Sequence, residues 1–229
     1  MADLQLSSPA LPAVSRLKGL LLDLDGTLVD SNGAHTEAWV QALADQGFTR
    51  PPAEVRPLIG MGGDQLVPRL TGLDEGSETG KALVEGWQTH FKSRMPSVRT
   101  FPGARELLEW AREVGLPVVL ASSGEDEIVE GLLAQAGLLE LVTDRVRSDE
   151  VNQTKPRPDV VQAALKKAGV APEEALFVGD TVHDARAARA AGVPCVLVRA
   201  GGSPGLDAEP HVLGDLMELL AALKAGSTT

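Results

Sequence analysis

The chain has no tyrosine, a single cysteine, and aromatic residues at only 3% of its 229 positions. Scarce rings leave few platforms on which nucleic-acid bases could stack. One cysteine, Cys195, excludes an intramolecular disulfide framework. It sits in the apolar run Val193-Pro194-Cys195-Val196-Leu197-Val198, which suits a buried structural thiol better than a nucleophile. No apolar run approaches the roughly 20 residues that span a bilayer. The N-terminus lacks a basic start followed by an apolar stretch, so no signal peptide is expected. Positive charge is short too. Lys+Arg is 21 against Asp+Glu 32, a net charge of -11. A protein that grips a phosphate backbone shows a basic stripe, and this one has none. Nucleic acid and membrane are therefore not expected as partners. The expectation is a soluble cytoplasmic protein, a monomer by default.

Apolar residues make up 43% of the chain, enough to bury a sizeable core. The length exceeds one ordinary domain and falls short of two. The reading that fits is an α/β core of residues 1–30 and 100–229, with a small helical cap inserted at 31–99. Residues 1–15 read as a loose N-terminal arm.

The run Leu20-Leu21-Leu22-Asp23-Leu24 is apolar without alternation, as in a strand covered on both faces. From Ser31 to about Arg99 the apolar period becomes helical: Ala34, Ala38, Leu43 and Phe48 on one helix, Leu83, Val84, Trp87 and Phe91 on another. A glycine run, Gly60-Met61-Gly62-Gly63, breaks this segment. Further on, strands are predicted at 117–121, 139–143, 175–178 and 193–198. Helices are predicted at 104–114, 125–136, 159–168, 182–191 and 213–223. Alternating strands and helices predict a doubly wound parallel sheet.

Ligands of such sheets bind outside the carboxyl ends of the strands. Four polar clusters fall there: Asp23-Leu24-Asp25-Gly26-Thr27, Ser122-Ser123-Gly124, Lys155-Pro156-Arg157-Pro158-Asp159, and Gly179-Asp180-Thr181-Val182-His183-Asp184. Their chemistry fits phosphoryl transfer. An ionised Asp can attack phosphorus, gathered carboxylates need a cation, and hard oxygen ligands point to Mg2+. A hydroxyl and an ammonium can steady the transferring phosphoryl oxygens.

The stretch Asp23-Leu24-Asp25-Gly26-Thr27-Leu28-Val29-Asp30-Ser31 resembles the first signature of the haloacid dehalogenase-like hydrolases. The other clusters resemble that superfamily's remaining motifs, in order. The resemblance covers Lys18 to Asp30 and Phe101 to Val198. It implies a Rossmann-like core with a helical cap. It also implies a nucleophile at Asp23, a general acid/base at Asp25, and phosphate binding by Ser122, with Ser123 beside it, and by Lys155. Mg2+ would be held by Asp23, Asp180 and the backbone carbonyl of Asp25, with Asp184 as a supporting acid. Neighbouring carboxylates are expected to raise the Asp25 pKa, so that it can protonate a leaving group. His35, Trp39, Arg56 and Arg69 are candidate cap contacts to substrate.

Within the family, Asp25 favours phosphate chemistry over dehalogenation. The cap stretch Ile59 to Asp64 lacks the arginine with which β-phosphoglucomutase-like mutases grip a sugar phosphate. Residues 32–80 contain no lysine for phosphonatase chemistry. The expected activity is thus a phosphatase of the phosphoglycolate phosphatase type, acting on a small phosphorylated metabolite. The sugar phosphomutase is the alternative. A receiver-like signalling domain or a non-catalytic binding protein would be readings of another class. A receiver is shorter, has no cap and presents its acceptor Asp from a later strand.

Overall fold

The computed structural model describes residues 12–226. Six strands form one parallel sheet: β1 (Gly19–Leu22), β2 (Val118–Leu120), β3 (Asp144–Arg145), β4 (Ala175–Gly179), β5 (Cys195–Val198) and β6 (Val212–Leu213). Their order is β3-β2-β1-β4-β5-β6, so the chain reverses its winding beside the central β1. Four helices lie between β1 and β2 in an insert: α1 (Asn32–Asp45), α2 (Pro52–Val55), α3 (Gly63–Thr71) and α4 (Glu78–Arg94). The remainder belong to the sheet: α5 (Ala104–Glu113), α6 (Asp126–Ala136), α7 (Asp159–Ala168), α8 (Val182–Ala190) and α9 (Leu216–Gly226).

Strand pleating sorts the apolar side chains between two layers. Leu20, Leu22, Val118, Leu120, Leu176 and Val178 pack on the side of α5, α6 and α9. Leu21, Val119 and Phe177 point the other way, onto α7 and α8. Both faces are therefore dry, and β1 is buried throughout. In the insert, α1 and α4 pack together through Trp39, Leu43, Leu83, Trp87 and Phe91. Trp39 and Trp87 stack with ring centroids 5.3 Å apart. Several contacts help tie the insert to the sheet. His183 Nε2 meets the Pro57 carbonyl at 2.8 Å, Thr154 bonds Gly62 and Asp64, and Arg56 donates to the Gly201 carbonyl.

Three expectations need correction. Residues 139–143 are not a strand. Leu138 and Leu141 are buried while Leu139 is 39% exposed, a spacing of three that makes a 3₁₀ turn at Leu139–Leu141. The edge strand comes later, as polar β3. The last helix starts at Leu216 rather than 213, behind Asp215, whose carboxylate accepts the Glu218 N–H at 2.9 Å. The residues before it pair as β6. Phe48 lies beyond α1, which ends at Asp45, and packs half-buried on the core from the following loop. Of the N-terminal arm, residues 1–11 lie outside the described residues. Val14–Arg16 form a 3₁₀ turn, and Val14 packs on the core.

Register fixes where the strands end. Leu22 pairs with both Leu120 and Val178, so β1, β2 and β4 finish at one level. The stability of this scaffold rests on its two apolar layers. Leu107 of α5 is fully buried and Met217 of α9 is 46% exposed. Leu107→Ala is expected to cost about 2–5 kcal/mol, and Met217→Ala less than about 0.5. Urea unfolding midpoints at unchanged slope check both values.

Candidate active site

The site begins where β1 runs out. The Asp23 N–H still donates to the Val178 carbonyl at 2.9 Å, which holds Asp23 on the sheet. The chain then turns sharply, with Gly26 at φ 78°. A Cβ at Gly26 would lie 2.1 Å from both Asn32 Nδ2 and Asp180 Oδ2. Only glycine combines that backbone angle with that clearance. The turn brings Asp25 to the same side as Asp23, although strict alternation would separate them.

Asp23, Asp180 and Asp184 meet in a buried cluster, each offering a carboxylate oxygen within 4.8 Å of the others. Lys155 enters from the loop before α7 and is fully buried. Its Nζ donates to Asp23 Oδ1 at 2.5 Å and to Asp184 Oδ1 at 2.7 Å. The other Asp184 oxygen accepts from the Thr181 hydroxyl at 2.6 Å and from the Thr181 and Asp180 N–H groups. Asp180 Oδ2 is bonded by Asn32 Nδ2 and by the Ser203 hydroxyl, each at 2.7 Å. Two carboxylate oxygens of the cluster are left without a partner among the described residues, Asp23 Oδ2 and Asp180 Oδ1.

These surroundings set the charges. Burial pushes the Asp23 carboxyl well above the usual range, Lys155 pulls it back, and repulsion from Asp184, Asp180 and Asp25 adds to the rise. Burial and Asp184 push Asp180 up to about 7, against the hydrogen bonds from Ser203 and Asn32. Burial alone would lower Lys155, but Asp184 and Asp23 outweigh it and keep the ammonium charged. Were all three carboxylates ionised, one ammonium would leave two negative charges uncompensated. Two bare, buried oxygens and a double negative excess fit a divalent cation with hard oxygen ligands.

Asp25 departs from expectation. Burial raises its pKa, but the His35 charge and hydrogen bond, the Ser31 hydroxyl and Lys155 together lower it below the ordinary value. Neighbouring carboxylates do not dominate, because Asp25 Oδ1 accepts from Ser31 at 2.5 Å and faces His35 Nε2 at 2.9 Å. His35 lies flat on Phe91, with centroids 3.8 Å apart and planes 6° apart. The insert thus holds one oxygen of Asp25 and leaves Oδ2 without a hydrogen bond among the described residues.

A cavity opens above these groups. Asp23, Asp25, His35, Trp39, Ser122 and Ser123 all line it. Ser122 Oγ accepts the Gly124 N–H at 3.0 Å, and Ser123 Oγ accepts the Lys155 N–H at 3.3 Å. Lys155, Asp180 and Asp184 lie beneath the lining rather than on it. Arg56 and Arg69 do not line the cavity. Arg56 is spent on the Gly201 carbonyl, and Arg69 is exposed and bonds Gln65 of its own helix. Asn32 and Ser203 were not anticipated. Asn32 directly follows the first motif and its position could have been suspected. Ser203 lies 23 residues beyond Asp180 and carries no local signal.

Comparison with known proteins agrees with this arrangement. Residues 20–198 match the haloacid dehalogenase-like hydrolase family. A phosphoglycolate phosphatase of Pseudomonas aeruginosa is 35% identical over 213 residues, covering 88% of this chain and 78% of that one. A phosphoglycolate phosphatase of Yersinia pseudotuberculosis is 32% identical, covering 90% of this chain and 93% of that one. The crystal structure of a hydrolase from Pseudomonas syringae superposes with a TM-score of 0.84 at 29% identity, covering 91% of this chain and 98% of that one. With the fold, the buried acidic cluster and these likenesses in agreement, the chain belongs to the haloacid dehalogenase-like hydrolases and is a phosphatase of the phosphoglycolate phosphatase-like kind.

Proposed function

We propose that this phosphatase hydrolyses a small phosphorylated metabolite through a phosphoryl group carried on Asp23, with Mg2+ as its cofactor. The observation that carries the reading is the state of Asp23. It stands at the floor of the cavity, with one oxygen bound by Lys155 and the other bare. Asp23, Asp180 and the Asp25 carbonyl would hold Mg2+, with Asp184 supporting them. The ion would neutralise the cluster and draw charge from the phosphoryl oxygens.

The chain's own groups account for the remaining steps. Lys155 keeps Asp23 oriented and has one N–H left for a phosphoryl oxygen. Ser122, at the cavity wall, offers a hydroxyl to another. Asp23 attacks phosphorus as the ester P–O bond breaks, and Asp25 gives its proton to the departing oxygen. A water then attacks the phosphorus of aspartyl-phosphate. Asp25 takes that water's proton, the Asp23–phosphorus bond breaks, and inorganic phosphate is released. Asp25 is lowered before substrate arrives. The incoming phosphate adds negative charge beside it and favours its protonated form. His35 and Ser31 fix one oxygen, so the proton is carried on Oδ2.

The mutase alternative asks for more. A bisphosphate intermediate needs a second anion site, and no lysine or arginine lines the cavity among the described residues. The described residues also form no helix long and apolar enough to cross a membrane.

Asp23→Asn is expected to remove turnover of an aryl phosphate by a factor on the order of 10⁴ or more. It should still unfold cooperatively. Steady-state assays with added Mg2+ check the first outcome and thermal melts the second.

The cluster also sets a pH dependence. Asp180 keeps its proton up to about 7 in the folded chain, while the unfolded chain releases it near the ordinary value of 3.8. The stability this contributes is present in acid and is lost as pH rises through about 7. The metal-free protein is expected to lose at least about 3 °C of melting temperature between about pH 5 and 7.5, relative to Asp180→Asn. Mg2+ should restore the loss at the upper pH in the wild type only. Melting curves with and without a chelator measure both effects.

A further inference from the structure

The cavity above Asp23 is walled by apolar groups, Trp39, Ile59, Met61 and Val84, and carries two acidic side chains besides Asp23 and Asp25, namely Glu75 and Glu125. Glu75 comes from the insert, just before α4, and Glu125 from the sheet side, at the start of α6. Both are half-buried. Neither carboxylate has a hydrogen-bond or ion-pair partner among the described residues. Burial raises both above the ordinary value, and Glu75 is raised further by Asp64, Glu125 and Asp74. The glycine run of the insert makes room for this arrangement. A Cβ at Gly63 would stand 2.1 Å from Glu75 Oε1. Among the described residues His35 is the only basic side chain in the lining, and it is engaged with Asp25. Trp87, also in the lining, has a buried indole N–H without a partner.

We propose that Glu75 and Glu125 select the leaving group: the enzyme takes a phosphate ester of a neutral, hydroxyl-bearing alcohol and turns away one whose alcohol carries a carboxylate. The inference rests on the phosphatase reading and specifies the substrate class at that same site. Its chemistry follows from donors and acceptors. Two carboxylates ask for donors, and an indole N–H asks for an acceptor. A hydroxyl group supplies both, a carboxylate only accepts, and an ammonium only donates. A carboxylate on the leaving group would also meet two like charges with no lysine or arginine in the described lining to offset them. Arg147 is exposed on the adjoining cavity. Glu75 and Glu125 line that cavity too, so an anion reaching for Arg147 still shares space with both. This separates the chain from the activity named for its phosphoglycolate phosphatase relatives, whose substrate bears a carboxylate.

The test compares kcat/KM for sorbitol 6-phosphate and 2-phosphoglycolate, with Mg2+, in the wild type and in Glu75→Gln/Glu125→Gln. The wild type is expected to favour the polyol phosphate by about tenfold or more. In the double variant 2-phosphoglycolate should gain about tenfold, chiefly through KM, while the polyol phosphate loses efficiency. Opposite movement is the signature, because a merely structural change moves both substrates the same way. Equal or better use of 2-phosphoglycolate by the wild type overturns the inference, as does parallel movement in the variant. Binding of both esters to the Asp23→Asn protein reads the same selectivity without turnover. An enzyme inactive on every ester, yet selective in binding, would overturn the phosphatase reading and leave the selection by Glu75 and Glu125 standing.

Discussion

The ion pairs of Lys155 with Asp23 and Asp184 are the interaction on which the site depends. Carboxylates buried together repel one another and lose their hydration, and one buried ammonium offsets only part of that cost. The fold supplies the rest with directed hydrogen bonds. Thr181 and the start of α8 satisfy Asp184, while Asn32 and Ser203 satisfy one oxygen of Asp180. What remains bare is one oxygen each on Asp23 and Asp180. A divalent cation, as proposed, would complete the arrangement, and burying these carboxylates together without one is costly.

The insert adds a second level of control. Ser31 and His35 come from its first helix and the residue before it, yet they hold Asp25 at the end of the sheet. His35 is in turn held by the aromatic stack between α1 and α4. Placement of Asp25 therefore depends on the same packing that positions Trp39, Trp87 and Glu75 over the cavity. The acidity of the chain also divides into parts. Four carboxylates gather at the reacting centre and two at the mouth of the cavity. The remainder lies largely on solvated surface.

Much of this was legible from residue order, for a physical reason. Apolar strands covered on both faces leave polar residues only at their ends, so Asp23, Ser122 and Asp180 marked the carboxyl edge directly. The helical insert was visible as a change of period. The misses share a cause as well. β3 and β6 are two-residue edge strands, and edge strands need not be apolar. Leu139 to Thr143 looked like a strand because Leu138 and Leu141, three apart, face inward in a 3₁₀ turn. Arg69 is turned to solvent by its helix, which charge in the sequence does not reveal. The depressed Asp25 carboxyl depends on His35 and Ser31 folding back onto it, a contact across the turn that spacing does not reveal. Ser203 reaches Asp180 from the loop after β5, and only tertiary structure brings them together.

The central claim is that Asp23 carries the phosphoryl group during turnover. Its most direct test is rapid acid quenching of the enzyme during hydrolysis of a phosphate ester, followed by peptide mass spectrometry. The account predicts one phosphoryl mass on the peptide containing Asp23, labile to hydroxylamine and absent without substrate. Full turnover with no adduct at Asp23, or with the adduct on another residue, would contradict it.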